Sequence, residues 1–158
     1  MLEKMVLSEV FRALERASFD DAVGSVSIGG LRTYQIYESF KIHARLNKLN
    51  RERLRKAIPR LWSRVEAGDE DLAREVAQAV LVSNLSMVIE ILDFLGVPHD
   101  GSGFFQKNDE AAGCLGEGWR ERVYAEFREK YPESRVLLYI NHLDWELGKP
   151  AAPFLGSK

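Results

Sequence analysis

Lys41, Arg45, Lys48, Arg51, Arg53, Arg55, Lys56, Arg60 and Arg64 crowd into one stretch of the chain in which Glu52 is the single acid. Residues 41–64 therefore carry about +8, and the rest about −10, of a total formal charge of −2. Lys41, Arg45 and Lys48 stand at i, i+4, i+7, and Arg53, Lys56, Arg60 and Arg64 follow at 3, 4, 4. At helical spacing each row lines one side of its helix. Such a cationic surface suits a polyanion, because every phosphate neutralised releases counterions, and it equally suits an acidic protein face. The competing use is internal: the chain's own acids, Asp69, Glu70, Asp71, Glu75, Glu121 and Glu129 among them, could neutralise the row. A sequence pI near 6 and the lack of zinc-finger spacing or an aromatic-glycine signature weigh against a dedicated nucleic-acid binder.

A second constellation is the loop VPHDGSGFF, where His99, Asp100 and Ser102 offer polar groups beside Phe104 and Phe105. His99 and Asp100 could serve as acid and base toward a small molecule, with a basic helix holding an anionic substrate. As plain connector, Asp100 and Ser102 would satisfy backbone donors and a phenylalanine would plug the core. A calcium loop starting at Asp100 is excluded, since its twelfth position is Ala111 where a bidentate acid is required.

The third is His142 with Glu146, four residues apart in NHLDWE. Two ligands do not make a metal site, and His43 and His99 are distant in sequence, so no metal and no cofactor is expected. Ser83, Ser86, Glu90 and Asp93 form one polar stripe at 3, 4, 3 spacing, which a solvent-facing edge explains. Nucleophile-elbow, phosphate-loop and dinucleotide fingerprints are absent. Cys114 is the sole cysteine, which excludes an internal disulfide and a thiolate zinc site. Ahead of a helix start its thiol could be activated, though an incidental thiol fits as well.

The elements that would position these groups are helices. Leu2, Met5, Val6, Val10, Ala13, Leu14 and Ala17 give residues 1–17 an amphipathic helix. The Gly and Ser content of residues 18–31 reads as a loop, with a possible short extended segment near 22–30. Helical hairpins fill 33–95: one helix from Thr33 to about Leu49, one opened by Asn50 and running to about Gly68 with Pro59 inside it, then one capped by Asp69 with a break near Ser83 to Ser86. Gly96 and Pro98 end that run in the usual order. Residues 98–116 carry no helical period and read as a long loop. A C-terminal hairpin over 117–147 is divided at Pro132, and 149–158 is expected to be an irregular tail with little to order it.

At 158 residues, 46% hydrophobic and 29% charged, the chain can close one core. We read an all-α single-domain bundle of about six or seven antiparallel or orthogonal helices over residues 1–148. Acids interrupt every long apolar run, so neither a signal peptide nor a membrane span is read, and the expected location is cytoplasmic. The functional expectation is a noncatalytic binding or interaction module using Lys41, Arg45, Arg53, Lys56, Arg60 and Arg64. Its partner would be another protein or a second copy in a homodimer, to which the 1–17 helix could contribute, with nucleic acid less favoured. The alternative is a small-molecule binder or enzyme with a site at 97–105 built from His99, Asp100, Ser102 and His142.

Overall fold

The computed structural model describes residues 6–27, 51–101, 105–106, 108–148 and 152–156. Among these the protein is all-α: α1 (Leu7–Gly24), α2 (Arg51–Glu66), α3 (Glu70–Val82), α4 (Leu85–Leu95), α5 (Asp109–Gly113), α6 (Trp119–Phe127), α7 (Glu133–Leu143) and a closing π-helical turn (Asp144–Gly148). No single helix among the described residues is long and apolar enough to cross a membrane. The helices group into two compact units that divide after Asn84.

In the first unit α1 packs on α2 and α3. Phe19 is buried between Phe11, which meets it edge-on at 5.4 Å, and Trp62 at 5.2 Å. Leu54, Leu61 and Val65 of α2 and Leu72, Val76 and Val80 of α3 complete the core. The apolar face of α1 is thus used within its own unit. The expected loop at 18–31 is corrected in its first part: residues 18–24 are helical, because Phe19, Ala22, Val23 and Val26 are buried at i, i+3, i+4, i+7, and that burial outweighs the weak helix propensity of Ser and Asp. No extended segment forms at 22–24, and residues 28–30 lie outside the described ones.

Two acids order the helix starts here. Asp69 accepts from the Leu72 amide at 3.1 Å as the N-cap of α3 and also holds Arg64 from the end of α2. Val6 offers no side-chain cap to α1, and Glu70 supplies it from across the unit, its two oxygens accepting from Leu7 N at 2.8 Å and Ser8 N at 3.1 Å. A carboxylate there meets both unpaired amides and the positive end of the helix dipole. Pro59 lies inside α2.

Glu15 interrupts α1 with φ 71° and ψ 166°, a backbone region that side chains strongly disfavour. It is solvent-exposed, so nothing around its side chain rewards the strain. Glu15→Gly is expected to stabilise the protein by about 1 kcal/mol, the relief of strain exceeding the added freedom of the unfolded chain. Urea unfolding reads it as a raised midpoint; a midpoint that stays put or falls would show the break to be unstrained.

In the second unit α6 packs on α4 and α7, and α7 on the π-helical turn. Ile91, Trp119, Val123, Phe127, Val136, Leu137, Ile140 and Leu143 form its core. α4 stops as expected, with Gly96 at φ 76° and the Val97 amide bonded to Leu92 O at 3.0 Å. The loop expected over 98–116 holds one short helix, α5, capped by Asn108 Oδ1 on the Ala111 amide at 2.9 Å. The segment expected to be an unordered tail is irregular yet anchored at residues 152–156, where Phe154 packs edge-on against Tyr124 at 5.9 Å and both its backbone groups bond to Asn141.

Candidate functional site

Helix α2 separates its residues by period. Leu54, Ala57, Leu61, Trp62 and Val65 are buried, while Arg55, Lys56 and Arg60 stand exposed on the other side. Lys56 meets Glu52 at 3.3 Å with both side chains about 76% exposed, a pair that solvent screens almost fully. Arg64 is differently employed, bonded to Asp69 with each side chain 29% exposed. It ties the end of α2 to the cap of α3. Arg60 takes part in a further interaction of its own. Lys41, Arg45 and Lys48 lie outside the described residues, as does the side chain of Arg53. The structure therefore leaves Arg55, Lys56 and Arg60 exposed, with Lys56 and Arg60 one turn apart in a row from which Arg64 is withdrawn.

The loop after α4 borders a cavity of about 460 Å³ lined by Pro98, His99, Asp100, Phe105, Gln106, Asn108, Glu110 and Ala111. Ser102 lies outside the described residues. His99 has both ring nitrogens engaged: Nε2 lies 2.7 Å from Asp93 Oδ1, and Nδ1 accepts from the Gly101 amide at 3.0 Å. In the neutral ring these partners select the tautomer with its proton on Nε2, and they pin the turn. The expected acid/base role for His99 would require breaking one of these bonds. Among the described residues, Asp100 and Glu110 give the lining two carboxylates.

His142 belongs to another place in the unit. Its Nδ1 lies 2.7 Å from Glu146 Oε1, out of line for a good hydrogen bond, and both side chains are largely buried at 14% and 10% exposure. Trp145 stands beside the imidazole at 5.6 Å. Nearby Tyr139 has its phenol pushed well above the ordinary range, first by burial and then by the Glu146 charge. His142 does not line the cavity with His99, and no group of three or more metal-ligating side chains occurs among the described residues.

Sequence reasoning missed two polar centres. Arg120 grips Asp144 with Nε to Oδ2 at 2.5 Å and Nη2 to Oδ1 at 2.8 Å, Asp144 being 1% exposed. The carboxylate hydrogen bond raises the Arg120 guanidinium above its ordinary value despite the opposing effect of burial. Asn141 is fully buried and is shared between Leu137 O and the Phe154 backbone. A signal was present, since Leu137, Asn141 and Asp144 follow one another at 4, 3 spacing, which places two polar side chains on an apolar face. The chain matches no protein-family model, no curated protein and no solved structure.

Proposed function

We propose that the protein is a noncatalytic helical binding module that docks an acidic face of a partner protein through the outer row of α2. The observation that supports this reading is the division of α2 into a buried apolar face and an exposed cationic one bearing Arg55, Lys56 and Arg60. The row sits on a helix fixed by its core contacts, so ion pairing requires no rearrangement of the backbone beneath it. Shedding the Lys56–Glu52 contact loses little, because exposed pairs of this kind contribute about 0–1 kcal/mol. An acidic protein is preferred over nucleic acid because a sequence pI near 6 is low for a nucleic-acid-binding domain and no nucleic-acid-binding motif is present.

The test is a titration with polyglutamate at low and high salt, with mixed-sequence duplex DNA as the comparison. Salt-sensitive polyglutamate binding is expected, weakened at least about tenfold by combined Arg55→Glu, Lys56→Glu and Arg60→Glu, as three surface pairs of about 0.5 kcal/mol each would give. Helicity should stay unchanged. Equal binding by the triple variant would remove α2 as the docking face, and tighter binding of DNA would move the partner to nucleic acid.

A second reading has the Pro98–Ala111 cavity in its favour. The two carboxylates and the aromatic ring of its described lining suit a small organic amine, its charge facing Asp100 or Glu110 and its carbon skeleton Phe105. In that reading His99 holds the wall of the pocket in place.

A further inference from the structure

Residues 152–156 run without helical structure, yet side chains of α6 and α7 hold them at three separate points. Asn141 donates from Nδ2 to the Phe154 carbonyl at 2.8 Å and accepts at Oδ1 from the Phe154 amide at 2.7 Å. One side-chain amide thus satisfies both backbone groups of one residue, as a neighbouring strand does for an extended peptide. The other Nδ2 hydrogen goes to Leu137 O at 2.8 Å, which fixes the direction of the amide. The second point is Tyr124, edge-on to the Phe154 ring at 5.9 Å and held by its hydroxyl donating to Glu133 at 2.6 Å. The third is Gly156, at φ 101°, where a Cβ would come within 2.9 Å of the Tyr124 ring. The surface therefore reads a backbone pair, an aromatic ring and the missing side chain two residues later.

None of these contacts depends on the segment belonging to the same chain, and every second copy carries the same Phe154, Leu155 and Gly156. We propose that α6 and α7 form a receptor for residues 152–156 of a second copy, and that the chain's own segment fills it in the monomer. Self-association then proceeds by exchange of an identical element, and each receptor contains residues from two chains. This reading is independent of the α2 row. A tethered segment competes at an effective concentration on the order of millimolar, so exchange becomes visible where that competition is removed.

The experiment mixes two full-length variants: Phe154→Ala, which keeps the receptor, and Asn141→Ala, which keeps the segment. Light scattering is expected to show a one-to-one complex at least about tenfold tighter than wild-type self-association, with neither variant alone associating more tightly than wild type. A mixture that stays monomeric while both variants are folded overturns the proposal. Should Asn141→Ala fail to fold, a fluorescein-labelled peptide of residues 150–158 is titrated into the Phe154→Ala chain. Binding at least about tenfold tighter than to wild type supports exchange, and equal or absent binding overturns it. Hydrogen exchange on the unmodified protein gives an independent readout: the Phe154 amide should open well before the core amides of α7, and opening only with global unfolding would show a segment that never leaves.

Discussion

Arg120→Ala is expected to cost about 3–5 kcal/mol of stability and Asp144→Ala only about 1–2 kcal/mol, although each removes the same ion pair. The asymmetry follows from exposure, 36% for the Arg120 side chain against 1% for Asp144. Without its partner Arg120 can turn its guanidinium, now 5.4 Å over the Trp119 ring, to water. Without Arg120 the Asp144 carboxylate stays enclosed at the start of the π-helical turn with its charge uncompensated. Urea unfolding of the two single variants measures the difference, and equal costs would show that Asp144 gains water when Arg120 is gone. Because the guanidinium is raised, its contribution is complete below its unfolded value and is lost only as pH climbs through the higher folded one. The pair is accordingly a constant through neutral pH.

Asn141→Asp is expected to be worse than Asn141→Ala, about 3–5 against about 2–3 kcal/mol, even though it keeps the shape of the side chain. The amide nitrogen donates to two carbonyls, of Leu137 and Phe154, each at 2.8 Å. An oxygen in its place turns two hydrogen bonds into two contacts between acceptors and puts a charge where no surface is exposed. Alanine leaves the same carbonyls unmet without adding repulsion. A buried carboxyl has its proton affinity raised, so lowering pH should restore part of the loss in the aspartate variant by returning one donor, and should leave the alanine variant unchanged. Chemical denaturation at neutral and mildly acidic pH reads both effects, and aspartate tolerated better than alanine would place water at this amide.

The helices that sequence reading recovered best are those with both a period and a terminal signal. Asp69 before α3 and Gly96 after α4 do what residues of their type do at helix ends, and the break after α3 falls where Ser83 and Asn84 bond back to carbonyls of their own helix. The second half of α1 was hidden because Ser18, Asp20, Asp21 and Gly24 suggest a loop by composition, while the burial of Phe19, Ala22 and Val23 declares a helix by period. Period was the better guide. The α5 helix has five residues, fewer than two turns, so no periodicity could announce it. The basic row was legible as spacing, but spacing does not tell that Arg64 is turned to Asp69 while Lys56 stands in solvent. Likewise the engagement of both His99 nitrogens depends on Asp93 and on the Gly101 amide meeting in space, which no local pattern encodes.

Cys114 sits at the end of α5 with its thiol 3.3 Å from the Glu110 carbonyl and 3.4 Å from that of Gly96, and Glu110 belongs to the wall of the Pro98–Ala111 cavity. It is half-buried and is the chain's sole thiol. The protein therefore carries a native chemical handle near its cavity: one maleimide equivalent labels one known position without any engineered substitution.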